Sequence, residues 1–172
     1  MITGNKTIIK GITQESSSLI YKWVNREDLR ELTGTLYPIS EYEHEEWIKK
    51  VATSSDPKLF LICEKQNNQP IGTIGLKKLN YTNRNAELFI SIGAEGYTSK
   101  GYGSDAVASF VNYCFGSLNL HRIYLHVFES NIGAIKSYEK CGFKKEGVLK
   151  DAHFSKGKYE NIIIMGKVSS EF

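Results

Sequence analysis

Two segments between residues 97 and 143 hold residue types whose spacing can do chemistry. The first is Tyr97-Thr98-Ser99-Lys100-Gly101-Tyr102-Gly103-Ser104. It follows a strand-like apolar run at residues 86–92 and leads into a helix pattern with Ala106, Val107, Phe110, Val111, Cys114, Phe115 and Leu118 on one face. Strand, glycine-rich turn and helix start form a geometry in which free backbone N–H groups and the helix dipole hold a phosphate. The same glycines would also serve a simple change of direction. The second segment is Asn131-Ile132-Gly133-Ala134-Ile135-Lys136-Ser137-Tyr138-Glu139-Lys140-Cys141-Gly142-Phe143. On a helix starting at Asn131, positions 131, 134/135 and 138 share a face, so Asn131 and Tyr138 can meet one ligand. A phenol, with a reference pKa near about 10, stays protonated at neutral pH and can donate to a leaving thiolate. The structural alternatives are packing of Tyr138 beside Ile135 and plain N-capping by Asn131.

Glu87 is the third chemical candidate. By two-residue alternation it shares a strand face with Phe89 and Ser91, while Ala86 and Leu88 flank it. Burying an unpaired carboxylate there is costly. Either an Arg or Lys meets it structurally, or water and an amine meet it in a cleft. His44, His121, His126 and His153 lack metal-ligand spacing, so no metal is assigned. His126 lies on a core strand from which it could reach the cleft, but reads first as a satisfied core histidine; the acidic run Glu41-Tyr42-Glu43-His44-Glu45-Glu46 reads as a solvated helix face or an acidic lip for a cationic amine.

Taken together, the two segments resemble the GNAT superfamily of acyl-CoA-dependent N-acyltransferases. That family's pyrophosphate loop reads Gln/Arg-x-x-Gly-x-Gly/Ala, and its later helix Asn-x-x-Ala-x-x-x-Tyr-x-x-x-Gly-Phe. Asn131, Ala134, Tyr138, Gly142 and Phe143 fit the helix motif at every position, and Lys100, Gly101, Tyr102 and Gly103 fit the loop's core. Thr98 stands where Gln or Arg is frequent and Ser99 where Gly is common. The resemblance spans residues 58–168 and implies acetyl-CoA as co-substrate, with direct transfer to an amine in a ternary complex. It implies Tyr138 as the acid and Glu87 as a base acting through water. It also implies Thr98, Ser99, Lys100, Gly101, Tyr102, Gly103, Ser104 and Asn131 as cofactor contacts, and Ser91 and Ile92 as backbone partners of the pantetheine arm. The tail from Phe154 to Asn161 is similar to ribosomal-protein alanine and polyamine N-acetyltransferases alike, so the acceptor stays open among polyamine, amino sugar and protein N-terminus. A non-catalytic CoA-binding sensor is the rival class. A dinucleotide or Walker-type site is disfavoured, because the loop lacks G-x-G-x-x-G and Gly-Lys-Ser/Thr.

The elements that must position these residues follow from pattern. A length of 172 residues suits one domain, residues 1–172. A hydrophobic share of 41%, a charged share of 24% and a net charge of +3 describe a globular chain without a nucleic-acid stripe. No apolar run is long enough for a membrane span or signal peptide. Cys63, Cys114 and Cys141 each lie within or beside apolar runs and read as buried thiols of a reducing cytoplasm. Strands are predicted at 7–12, 58–64, 71–78, 86–92, 121–128, 144–154 and 159–167. Helices are predicted at 14–25, from Ser40 to about residue 51 with a Ser40/Glu43 capping box, at 101–117, and from Asn131 to Gly142. This order predicts an α/β (α+β) fold of GNAT-like layout: a mixed, mostly antiparallel sheet of about seven strands with helices on both faces. A homodimer is compatible with that layout.

Overall fold

The computed structural model describes residues 1–170. A short strand β1 (Ile2–Thr3) turns back into β2 (Thr7–Gly11). Helices α1 (Gln14–Asn25), α2 (Glu27–Thr33) and α3 (Glu41–Thr53) follow, then a meander of β3 (Lys58–Glu64), β4 (Pro70–Asn80) and β5 (Asn85–Ile92). The second half alternates α4 (Tyr102–Gly116), β6 (Arg122–Phe128), α5 (Ile132–Lys140), β7 (Lys144–Ser155) and β8 (Lys158–Val168). The eight strands form one sheet in the order β1-β2-β3-β4-β5-β6-β8-β7. Every neighbouring pair is antiparallel except β5 and β6. The mixed, mostly antiparallel sheet is the predicted one, extended by the two-residue β1.

Local chemistry explains where the helices begin. Thr13 and Ser16 exchange side-chain and backbone bonds in a capping box at the start of α1, and Ser40 and Glu43 do the same for α3. The sequence pattern did not predict α2. Its N-cap is Arg26, which makes no capping bond, and only its end is marked, by Gly34 in the left-handed region at φ 73°. Glu27 and Asp28 in its first turn still favour the helix dipole.

Alternation along the strands separates two cores. Ile62, Ile74, Leu76, Ala86, Leu88, Ile123, Leu125 and Val127 meet Phe110, Val111 and Cys114 of α4 on one face, with Tyr138 and Ile135 of α5 packed against them. On the other face Leu61 and Cys63 meet Ile20, Trp23 and Leu29 of α1 and α2. The indole of Trp23 lies so close to Gly93 that a Cβ there would fall 2.2 Å from it. Glycine at 93 thus lets α1 seat against the end of β5. The three cysteines are free and buried, as expected. No helix among the described residues is long and apolar enough to cross a membrane.

One carboxylate ties the N-terminal hairpin to the start of α4. Asp105 accepts from the N–H groups of Asn5 (2.9 Å), Lys6 (3.0 Å) and Thr7 (2.9 Å) and from the Thr7 hydroxyl (2.7 Å). Burial pushes its pKa up, but these donors outweigh burial and hold the carboxyl below its ordinary value. Hydrogen bonds to charged groups contribute about 1.5–3 kcal/mol each and do not simply add. Asp105→Ala is therefore expected to cost about 2–4 kcal/mol, read as a lower midpoint in urea unfolding with an unchanged slope. A midpoint equal to wild type would mean the hairpin is held by packing alone.

Candidate active site

The sheet forks at its only parallel pair. β5 and β6 are in register over Asn85–Arg122, Ala86–Ile123 and Glu87–Tyr124, and no further. Both strands continue, yet each keeps bonding only on its far side: Ile92 still pairs with Gly72 of β4, and Phe128 with Ile162 of β8. The facing edges from Leu88 to Ile92 and from Leu125 to Phe128 diverge, and their backbone groups have no strand to satisfy them. Ser91 and Ile92, both half-buried, sit on this edge.

At the wide end of the fork stands the glycine-rich loop. Ser99 at φ 59° and Gly101 at φ 84° flank Lys100, an alternation that turns neighbouring N–H groups toward one point. Gly101 is the N-cap of α4 and offers no side chain. The first helical bond is from Asp105 N–H to the Gly101 carbonyl, which leaves the N–H groups of Tyr102, Gly103 and Ser104 without helical acceptors. Their positive dipole end suits an anion. The protein holds this loop from behind: Lys6 Nζ donates to the Lys100 carbonyl at 2.9 Å, and the Tyr102 hydroxyl donates to Glu64 at 3.0 Å. Thr98, Ser99 and Lys100 are exposed.

Helix α5 borders the same side. Asn131 is its N-cap, and its side-chain oxygen accepts from Ala134 N–H at 3.2 Å. Ser137 and Ser104 hydroxyls bond at 2.7 Å, fixing α5 against the first turn of α4. Tyr138 is half-buried against the core and lies edge-on to Phe143, with ring centroids 6.0 Å apart. Burial pushes its phenol up to about 12, reinforced by the neighbouring Cys141, so the hydroxyl is a committed donor.

Glu87 points to the opposite face of the sheet from Tyr138, because Ala86 and Leu88 occupy the α4 side. It is buried at 4% exposure. Lys78 Nζ stands 2.8 Å from one oxygen; Lys77 Nζ at 3.2 Å and His126 Nδ1 at 2.9 Å share the other. Burial raises its pKa, but Lys78, His126 and Lys77 together outweigh that and keep the carboxyl below its ordinary range. The structure thus supplies the lysine partners that a buried carboxylate required, and it adds His126, which is not a buried core histidine. The Lys77–Glu87 cross-strand pair was hidden in sequence by the turn register, whereas His126 was visible as the polar member of an alternating strand.

The fork therefore has Ile92, the 98–104 loop, Asn131 and Tyr138 on one side and Glu87 with His126 on the other, with Ser91 on its open edge and its side chain on the Glu87 face. The acidic segment stays apart: Glu41, Glu43, Glu45 and Glu46 are exposed on α3, while His44 is buried and bonds the Ser17 carbonyl at 2.9 Å. No cluster of metal-ligating side chains occurs among the described residues. On the Glu87 side a cleft of ≈ 380 Å³ has Glu27, Arg30 and Glu31 on one wall and His153 and Phe154 on the other.

Comparison with known proteins gives the family and its fold. Residues 7–144 match the acetyltransferase (GNAT) domain model. The chain is 35% identical over 130 residues to spermidine N(1)-acetyltransferase of Vibrio cholerae, covering 76% of this chain and 74% of that one. It is 26% identical over 170 residues to an SPbeta prophage-derived uncharacterized N-acetyltransferase of Bacillus subtilis, covering 99% and 94%. A crystal structure of the Vibrio cholerae spermidine N-acetyltransferase in complex with CoA and spermine superposes with a TM-score of 0.87 at 29% identity, covering 96% of this chain and 97% of that one.

The Glu87 cluster sets a pH dependence of stability. A carboxyl whose folded pKa lies below its unfolded value near about 4.3 contributes stability above that pH and loses it as pH falls through the folded value. Glu87→Gln is expected to cost about 1–2 kcal/mol at pH 7, discounted for the partly exposed lysines. Its melting temperature should also fall less steeply than wild type between about pH 5 and 3. Thermal scans across that range test this; parallel curves for the two proteins would remove Glu87 from the acid response.

Proposed function

This chain belongs to the GNAT acetyltransferase family, and we propose that it moves the acetyl group of acetyl-CoA to a primary amine by direct attack in a ternary complex, with no acyl-enzyme. The observation that carries the reading is the β5–β6 fork with an anion-ready loop at its wide end. Pyrophosphate would lie on the N–H groups of the 98–104 loop, contacted by Thr98, Ser99, Lys100, Gly101, Tyr102, Gly103 and Ser104. The pantetheine arm would complete the open backbone edge at Ser91 and Ile92, as a third strand would, and Asn131 would border it from α5.

The thioester then sits where the strands part, between Tyr138 on one side and the Glu87 cluster on the other. Attack needs a neutral amine, and collapse needs a partner for the departing sulfur. A proton moving outright from a phenol held near about 12 to a thiolate whose acid sits near about 8.5 climbs roughly 5 kcal/mol. The main role of Tyr138 is therefore a hydrogen bond to the sulfur as charge grows on it. The amine's own proton leaves on the Glu87 side.

Acceptor identity is the finer part of the proposal. A polyamine is the first candidate, because the Vibrio cholerae relative carries that activity in its name. The cleft offers the carboxylates of Glu27 and Glu31 to a cationic chain, with Arg30 and Lys156 in the same lining; Lys156 lies 2.7 Å from Glu31 and would be displaced. The three free thiols fit a reducing cytoplasm as the site of action. Self-association belongs to the proposal as well. A related enzyme is described as dodecameric, and Val148, Leu149, Phe154 and Tyr159 expose apolar surface on the outer strands of this sheet. Light scattering of the purified chain reads its mass directly, and a monomer would reject self-association.

Thiol release from acetyl-CoA, followed with spermidine, spermine, an alanyl-terminated peptide and glucosamine as acceptors, tests the activity. Amine-dependent release is expected, first with the polyamines; none with any amine would leave only a CoA-binding sensor. Two variants test the placement. A Cβ on Gly103 would lie 3.7 Å from Ile92, an ordinary contact. Gly103→Ala should therefore fold normally yet weaken acetyl-CoA at least tenfold by calorimetry, through collision with the bound phosphate; unchanged affinity would move the pyrophosphate elsewhere. Tyr138→Phe keeps the ring and should lower kcat and kcat/KM together by about 10²- to 10³-fold. A loss under about threefold would mean water stabilises the thiolate.

A further inference from the structure

Neither oxygen of Glu87 is open to a substrate: Oε1 is already shared by His126 and Lys77, and Oε2 is buried with the Lys78 ion pair and no hydrogen bond. The side chain is 5% exposed. His126 differs on each count. Its side chain is 29% exposed, and among the described residues its only hydrogen bond is the one from Nδ1 to Glu87 at 2.9 Å. We propose that His126 is the base that takes the proton from the acceptor amine, and that Glu87 is its positioning residue. This rests on acetyl transfer at the fork and names the group on the amine's side.

The tautomer follows from the partner. An ionised carboxylate only accepts hydrogen bonds, so the proton of the neutral imidazole is on Nδ1 and the lone pair is on Nε2. The ring's place follows from the strand. Tyr124 is the last residue of β6 paired with β5, and His126 is the next residue on that face, at the opening of the fork. Leu125 and Val127 lie in the core beneath α4 and α5 together with Tyr138. His126 is thus across the sheet from Tyr138, on the side of Glu87. The charged and titratable groups around it are Glu87 from β5, Lys77 and Lys78 from β4, and Tyr124 on its own strand at 6.0 Å between ring centroids. From β8 its pairing partner is Ile164. Lys78, His126 and Lys77 together keep Glu87 ionised, and the Glu87 carboxylate holds the His126 ring by its Nδ1.

The proton balance closes with these groups. The ammonium gives one proton to Nε2, and the free amine forms a C–N bond at the thioester carbonyl. The C–S bond breaks as the tetrahedral intermediate collapses. The nitrogen's second proton leaves to solvent, the sulfur leaves as thiolate under the Tyr138 hydrogen bond and is protonated from solvent, and the imidazolium releases its proton to water once products depart.

The test compares His126→Asn with Glu87→Gln, using whichever amine of the panel the wild type turns over fastest. Asn keeps an N–H toward Glu87 but offers no base. We expect His126→Asn to lower kcat/KM at pH 7 by about 10²-fold or more, to abolish the acidic limb of the pH–rate profile, and to leave acetyl-CoA affinity within about twofold. Glu87→Gln should keep that limb with a smaller loss, because the imidazole survives without the partner that positions it. A His126→Asn enzyme within about threefold of wild type, or one that retains the limb while Glu87→Gln loses it, overturns the assignment. ¹⁵N NMR of the wild-type imidazole gives a reading independent of any acceptor: an Nδ1–H tautomer supports the proposal, and an Nε2–H tautomer ends it. Absence of transfer to every amine by the wild type is a different outcome, which strikes the acetyltransferase reading itself.

Discussion

The site depends on a parallel pairing that stops early. β5 and β6 hold each other for three residue pairs and then part, although a longer ladder would satisfy more backbone groups. The divergence is stable because each strand is anchored on its outer edge, β5 by β4 and β6 by β8, along its full length. Helices α4 and α5 fill the α-side of the wedge with Phe110, Val111, Ala134 and Ile135. What remains is an edge of unpaired N–H and C=O groups inside the protein, which favours an extended ligand with amides of its own. The fork is thus both a defect of the sheet and its binding element.

Sheet alternation then sorts the chemistry. Successive side chains of one strand leave on opposite faces, so Leu125 and Val127 enter the core beneath Tyr138 while His126 leaves toward Glu87. The proposed donor and base therefore stand on opposite faces of the sheet without meeting each other. The electrostatics support that division. Tyr138 is held protonated by burial, whereas Glu87 is held ionised despite burial because three partners converge on it. Burial alone would have raised the pKa of that carboxyl; Lys78, His126 and Lys77 reverse the direction.

How much of this could be read from the chain differs by element. The glycine loop, the α4 face and the Asn131–Phe143 helix were legible because each is local: glycine conformations, a helix start and helical spacing all lie within a few residues. The strands of the meander were legible from alternation and turn composition. Helix α2 escaped because Arg26 gives no capping signal, and β1 because two residues carry no pattern. The Glu87 cluster was only half visible. Its need for a partner was evident from Ala86 and Leu88, but which lysines would arrive depended on the irregular β4–β5 register between Lys77 and Asn80. His126 joins it across the one parallel pair, a contact spanning 39 residues of sequence.

A consequence for specificity follows from the kind of group each half uses. In the proposed function the cofactor half works through backbone: N–H groups of the 98–104 loop, a helix end and a strand edge. Such groups persist through most side-chain changes, provided Gly101 can keep its positive φ and the loop its anchors at Lys6 and Glu64. The proposed acceptor half is made of side chains on α2, on residues 34–36 and near the β7–β8 turn, where Glu27, Arg30, Glu31 and His153 carry little of the core. Changes there alter charge and shape at small cost in stability, since surface substitutions usually shift it by under about 0.5 kcal/mol. The fold can therefore hold one co-substrate fixed while its amine changes. The cleft beside α2, lined by Glu27, Arg30, Glu31 and His153, is the surface most open to such change.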